Sequence, residues 1–178
     1  MEVWLDNRDN LADLSAYRID CIDCLIQPIE GTANTDLTLI SIDGKSLIRS
    51  GKVVGEIIKI DGSEGQSKAL SLVGSVSWLL LEFENWSMIP IENIIAACAG
   101  SPTKVAALLR SPAETQGAAF ALEIGVDALV VIPDQLMINS AAIAKSQRGE
   151  VVENTNIVKD DEEIKLQPLL ITNIESGG

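Results

Sequence analysis

The hydrophobic pattern of the chain changes rhythm at residue 53. From there short apolar runs recur: VVGEIIKID from Val53, VSWLLLEF from Val76, TKVAALLRS from Thr103 and VDALVVIPD from Val126, at intervals of 23, 27 and 23 residues. Each run is rich in Val, Ile and Leu and is bounded by Gly, Ser, Pro or Asp, as strands covered on both faces are. The segments between them carry helical punctuation. SEGQSKALSLVG closes at Gly74, and IPIENIIAACAG has Pro90 in its first turn and Gly100 as its stop. SPAETQGAAFALEIG places Ser111 at the cap, Pro112 next and Glu114 three residues on, a capping box, and ends at Gly125. QLMINSAAIAKSQRG reads as a further helix ending at Gly149. Alternation of strand and helix at this period predicts right-handed parallel βα units.

Upstream the pattern is weaker. EVWLD and CIDCLIQ read as two more strands, and a less regular stretch, TLISIDGKSLIRSG, leads to Val53. Six or seven strands predict an α/β domain with a parallel sheet over residues 1–152, an irregular or incomplete TIM-barrel-like form, with an open doubly wound sheet as the alternative. Beyond it, KDDEEIK (159–165) reads as a solvated acidic linker, and IKLQPLLITNIESGG alternates as a strand does. One strand cannot form a domain. Residues 153–178 are therefore expected to be a linker and the first strand of a truncated, β-rich C-terminal domain.

Composition narrows the chemistry. With 26 acidic against 13 basic residues the formal charge is −13, which disfavours nucleic acid and anionic membranes as partners. No apolar run reaches the roughly 18–20 residues of a membrane span, and MEVWLDNRDN lacks the basic start and apolar stretch of a signal peptide. The expectation is a soluble protein of the cytoplasm, or of a plastid in a compartmented cell. Histidine is absent, which excludes Ser-His-Asp and Cys-His pairs and imidazole metal ligation. Acid–base work falls to Asp, Glu, Lys, Tyr or Cys, and no metal site is expected.

Cys21 and Cys24 form a C-x-x-C, but in a strand pattern without a helix N-terminus to lower a thiol pKa; with Cys98 they read as small buried hydrophobes. Two phosphate-loop lookalikes fail. DGKS (43–46) has Leu39 where the leading glycine should stand, and DGSEG (61–65) lacks G-x-G.

In parallel βα folds ligands bind where strands end and helices begin. The polar residues at those ends are Asp6, Arg8, Gln27, Glu30, Asp61, Glu84, Asn85, Trp86, Arg110, Ser111 and Asp134. Strand parity puts Trp78, Leu80, Glu82 and Glu84 on one face and Leu79, Leu81 and Phe83 on the other. Glu82 is thus a carboxylate inside an apolar strand, costly to bury unpaired. Lys104 and Glu56, on the flanking strands, are its expected partners, either in a structural ion pair or as a tuned acid–base or Schiff-base pair.

The run LLLEFENWSMIPIENIIA, followed by KVAALLRSPAETQGAAFALEIGVDALVVIPD, resembles 3-dehydroquinate synthase II, an archaeal-type family. Its pattern is an apolar strand with Glu, then D-W-x-x-I-P-L-E-N-L-I-A, then a strand opening on Lys. Glu82, Trp86, Ile89, Pro90, Glu92, Asn93 and Lys104 match it position by position, within residues 76–134. Asn85 stands where the family has an acid, Ile91 replaces Leu, and the chain is expected to lack the β-rich half that follows in the family. The resemblance implies NAD-dependent oxidative deamination and cyclisation of 2-amino-3,7-dideoxy-D-threo-hept-6-ulosonate to 3-dehydroquinate, a step of aromatic amino-acid biosynthesis in the shikimate pathway. On that footing Glu82 and Glu84 are candidate bases, and Lys104 stabilises oxyanions or forms an iminium. Trp86, Glu92, Asn93 and Arg110 are candidates for holding substrate or NAD. Two other readings stay open: a non-catalytic domain that binds a ligand or a C-terminal partner chain, and a lysine-dependent barrel aldolase or lyase.

Overall fold

The computed structural model describes residues 1–9, 13–31, 35–86 and 88–165, with side chains described as far as residue 150. Eight strands close into a barrel in chain order: β1 (Glu2–Asp6), β2 (Cys24–Pro28), β3 (Thr38–Asp43), β4 (Ser46–Arg49), β5 (Lys52–Ile60), β6 (Trp78–Phe83), β7 (Lys104–Leu109) and β8 (Ala128–Val131). β8 returns to pair in parallel with β1, Trp4 lying beside Val130. β4 runs antiparallel to both of its neighbours; the other pairings are parallel.

The barrel is closed because the stretch that reads as irregular in the sequence supplies two strands. TLISIDGKSLIRSGK folds as a meander, β3–β4–β5, through two tight turns. Gly44 has φ 59°, and the Ser50–Gly51 turn has φ 53° and 73°, the left-handed pair that matches the twist of a two-residue hairpin. CIDCLIQ is a strand only from Cys24; Cys21 lies in the turn before it.

Four α-helices follow the second half of the barrel: α1 (Ser63–Leu72), α2 (Met88–Cys98), α3 (Pro112–Phe120) and α4 (Gln135–Lys165). Ser111 caps α3, its Oγ accepting from the Glu114 amide at 3.3 Å, while the Glu114 carboxylate accepts from the Arg110 amide at 2.7 Å. Gly149 does not end α4, as its spacing predicts. It is outside the left-handed region, and a single helical glycine costs only about 1 kcal/mol relative to alanine. The acidic run 159–165 is helical, and the predicted strand beyond it lies outside the described residues except for its first two positions. The chain divides into two units, 1–148, which holds the barrel, and 149–178; the predicted boundary at 152 falls inside α4.

Strand parity sorts the core into two compartments. Inside the barrel pack Trp4, Cys24, Ile26, Ile40, Leu47, Ile57, Trp78, Leu80, Ala106, Leu108, Ala128 and Val130. Between sheet and helices pack Val3, Leu5, Leu79, Leu81, Val105, Leu109 and Val131 with Ile91, Ile94, Ala118, Met137 and Ala141. Trp4 and Trp78 meet inside the barrel at 4.6 Å between ring centroids. Room for them comes from small neighbours: Ala106, Ala128, and Gly55, where a Cβ would lie 2.2 Å from the Trp78 carbonyl oxygen. Two large rings beside three small residues fill the interior, as barrels of this size require.

Candidate functional site

β6 ends at the mouth of the barrel with its inward series Trp78, Leu80, Glu82 continuing past the apolar layer. Glu82 lies beside Lys59 of β5 and Leu108 of β7 in register. Its ion-pair partner is Arg8, just past β1, whose Nη1 donates to Glu82 Oε1. Arg8 is itself fixed by Asp6: Nε donates to both carboxylate oxygens at 2.9 and 3.1 Å, and the Arg8 amide donates to Oδ1 at 3.3 Å. The three side chains are 10, 24 and 16% exposed for Asp6, Arg8 and Glu82. Burial pulls the Arg8 pKa down, but hydrogen bonds and charge from Asp6 and Glu82 outweigh it and leave the guanidinium more firmly protonated than usual. Glu82 is therefore held beside a permanent cation in a fixed orientation.

Two cavities meet at this point. The first, about 460 Å³, is lined by Asp6, Arg8, Tyr17, Glu82, Arg110 and Ile132 among others. The second, about 390 Å³, is lined by Lys59, Asp61, Glu82, Phe83, Glu84 and Arg110. Glu82 and Arg110 belong to both. Arg110 is exposed, and among the described residues its guanidinium has no ion-pair partner. The arrangement offers a carboxylate for proton transfer, cations for an anionic group, and an apolar floor of Leu108 and Ile132.

Of the other residues predicted for the site, Glu84 lines the second cavity and the rest lie elsewhere. Lys104 opens β7 and pairs in register with Trp78, four residues before the level of Glu82, or about 13 Å along the strand. Its Nζ sits 5.3 Å from the Trp78 ring, at the opposite end of the barrel. Glu56, the other expected partner of Glu82, faces outward and pairs with Lys68 of α1. Trp86 packs edge-on against Phe83, 5.0 Å between centroids, as part of the layer between sheet and helices. Glu92 is half-buried and Asn93 exposed on α2, and neither lines the mouth cavities. Glu84 stays at the rim, exposed. Lys59 and Tyr17 line the mouth without having been singled out; for Lys59 the signal was present, since the parity that flags Glu82 also puts Ile57 and Lys59 on one face of VVGEIIKID.

The cysteines serve packing. Burial pushes the Cys24 thiol up to about 12 despite Arg49 nearby, and raises Cys21 and Cys98 as well, so none is a nucleophile near neutral pH. Among the described residues no group of Cys, Asp and Glu is placed to hold a metal ion, and no helix is long and apolar enough to cross a membrane. A third cavity, about 370 Å³, opens at the N-terminus of α1 between Asp61, Gly62, Ser63, Glu84 and Asn85. Two carboxylates, Asp61 and Glu84, line it and would repel a dinucleotide's pyrophosphate, so it does not fit that group.

The profile of the 3-dehydroquinate synthase II N-terminal domain matches residues 6–140. Among curated proteins, the 3-dehydroquinate synthase of Methanocorpusculum labreanum is 36% identical over 97 residues, 54% of this chain and 28% of that protein. The 3-dehydroquinate synthase of Methanococcus maripaludis strain C6 is 26% identical over 162 residues, 86% of this chain and 42% of that protein. The chain thus spans well under half the length of these relatives. No solved structure gives a significant match.

Proposed function

The chain belongs to the 3-dehydroquinate synthase II family through its N-terminal domain, and from that premise we propose that its barrel mouth works in the formation of 3-dehydroquinate. The substrate is 2-amino-3,7-dideoxy-D-threo-hept-6-ulosonate, the reaction is NAD-dependent oxidative deamination followed by ring closure, and the setting is aromatic amino-acid biosynthesis by the shikimate pathway. The single observation that carries the reading is Glu82: an inward carboxylate at the C-terminal end of a barrel strand, gripped by Arg8 and shared by two cavities.

The cavity at the N-terminus of α1, lined by Asp61 and Glu84, does not fit the pyrophosphate of NAD. What this chain's own residues supply is proton transfer and positioning. Ring closure needs a proton removed from the methyl carbon beside the ketone, and Glu82 is the base for it; Arg8 holds its carboxylate in place. Arg110, reaching both cavities, holds an anionic oxygen of the substrate. Lys104 has no part in this, because it lies a barrel's depth away. Trp86, Glu92 and Asn93 support the segment around α2 rather than touch substrate.

The test separates the two halves of the reaction. Incubated with the amino sugar acid in deuterium oxide without NAD, the chain exchanges the methyl protons, followed by NMR, and Glu82→Gln lowers the exchange rate at least about a hundredfold, the usual worth of a general base. With NAD added, NADH absorbance rises; if it stays flat, catalysis of the full reaction by this chain is rejected. Because the relatives are longer, the assay is repeated with the remaining part of the Methanocorpusculum labreanum synthase supplied as a separate polypeptide. Activity gained only in the mixture identifies a C-terminal partner as required.

A further inference from the structure

Asp6 and Glu82 reach the barrel mouth in the same way. Asp6 lies two residues past Trp4 on the inward series of β1, as Glu82 lies two past Leu80 on β6. Both carboxylates meet one cation, Arg8, and they share it unequally. Arg8 Nε donates to both oxygens of Asp6 at 2.9 and 3.1 Å, and the Arg8 amide donates to Oδ1 at 3.3 Å. Nη2 also lies 2.9 Å from Asp6 Oδ2, buried and without a hydrogen bond. Glu82 receives one bond from Arg8, from Nη1 to Oε1. Asp6 does more than Glu82, by hydrogen bond and by charge, to hold the proton on the guanidinium. The pairing with Asp6 spans two residues of chain and the pairing with Glu82 spans 74. Arg8 therefore comes to Glu82 already neutralised by a local partner.

We propose that Asp6 is a positioning residue, the standing counter-ion of Arg8, so that Glu82 can take up and release a proton while Arg8 keeps its charge balanced and its place. This rests on the reading of Glu82 as the base and adds what lets a base work beside a partly buried cation. A carboxylate that accepts a proton loses its charge. Were Glu82 the sole partner of Arg8, each proton uptake would leave a guanidinium only 24% exposed without a counter-ion, a costly state that weakens the base. With Asp6 in place the triad passes from one net negative charge to none. Asp6 is unsuited to be the base itself. Arg8 engages both of its oxygens, and it lines one mouth cavity where Glu82 lines two. The other ionisable groups around Glu82 are Lys59 beside it on β5, Asp61, Glu84 and Arg110 in the second cavity, and Asp9 and Tyr17 in the first. They are the same in every variant compared, so they set where a pH profile lies and cancel from its displacement.

The experiment uses the full chain with Asp6→Asn and Asp6→Glu. Asparagine has nearly the same shape and its side-chain oxygen still accepts from Arg8, so the charge is removed without opening a void. Two quantities are followed from about pH 4 to 9, the range that spans carboxyl titration. One is the carboxyl carbon resonance of Glu82 in NMR, assigned by its loss in Glu82→Gln. The other is the rate of methyl proton exchange of the amino sugar acid in deuterium oxide. In Asp6→Asn the resonance titrates at lower pH, and the acid limb of the exchange rate moves down with it by about one pH unit. The plateau rate falls about three- to tenfold, because a carboxylate that holds a proton less tightly also removes one more slowly. Asp6→Glu keeps the charge and leaves both profiles in place. A side chain needed only for folding would lower the rate without displacing either profile. If the Glu82 resonance titrates at the same pH in Asp6→Asn as in the original chain, or if Asp6→Glu displaces it as far as Asp6→Asn does, the proposal is overturned and the base reading is untouched. If the resonance moves as expected but exchange is absent or indifferent to Glu82→Gln, Asp6 stands as the counter-ion and the reading of Glu82 as base falls.

Discussion

The two ends of the barrel are built from the same strands and treat charge in opposite ways. At the N-terminal end the ionic groups described inside the barrel, Glu2, Arg49 and Lys104, are engaged. Trp4 Nε1 donates to Glu2 Oε2 at 2.7 Å, Arg49 lies 3.6 Å from the same carboxylate and donates to Cys24 Sγ at 3.5 Å, and the Lys104 ammonium rests over Trp78. At the C-terminal end one triad, Asp6–Arg8–Glu82, is ion-paired although Arg8 Nη2 is buried without a hydrogen bond, and around it Lys59, Asp61, Glu84 and Arg110 stand, among the described residues, without ion pairs beside open cavities. One end is a plug and the other a socket. The difference shows why charge in an apolar strand is ambiguous from sequence: Lys104 and Lys59 both sit on inward parity, yet one is a lid on a tryptophan and the other lines a cavity.

Breaking the plug should have the largest effect on stability. Trp78→Ala leaves a void against Trp4 and Leu80, and a loss of about 3–5 kcal/mol in urea unfolding is expected. Next comes the triad. Arg8→Met strands two carboxylates that are at most 16% exposed; about 2–3 kcal/mol is expected, under the full cost of breaking a buried pair because water still reaches them. Adding Glu82→Gln to that variant should restore part of the loss, which a double-mutant cycle measures.

The third prediction uses pH. Burial raises the Cys24 thiol from 9.0 to about 12, so the folded state keeps the proton where the unfolded state loses it. The contribution is fully present below pH 9 and is lost as pH rises from 9 toward 12; Cys24→Ala should flatten stability against pH in that window, a difference of about 1 kcal/mol by pH 10. Smallest is Lys104→Met. An exposed cation over a ring is worth about 0.5–1 kcal/mol, and methyl proton exchange should be unchanged. Slowed exchange in that variant would erase the distinction between the two ends.

Much of the site was legible because strand parity is strict. The alternation in WLLLEF fixed Trp78 and Leu80 inside and Leu79 and Leu81 outside, and so aimed Glu82 into the mouth. The W-x-x-I-P-x-E-N signature was legible as a family mark, but Trp86, Glu92 and Asn93 do not line the two cavities that share Glu82. The signature forms the turn into α2, where Trp86 packs on Phe83 and Asn93 points outward. A motif signals that residues are specified, not which face of the sheet they occupy. The hairpins at Gly44 and Ser50–Gly51 were present in the turn residues, yet the short β3 and β4 lack the long apolar runs of strands buried on both faces, because no helix among the described residues is needed over an antiparallel meander.

The sequence by itself determined the βα repeats, their caps, the inward series on each strand and membership of a family, since these rest on local periodicity and on residue identity. Only the tertiary structure decided that the sheet closes, which partner Glu82 takes, and which lysine faces the cavity. Arg8 and Glu82 are 74 residues apart in the chain, and only closure of β8 onto β1 brings that loop round the barrel mouth. Pairing across a closed barrel is a long-range property, and no local spacing encodes it.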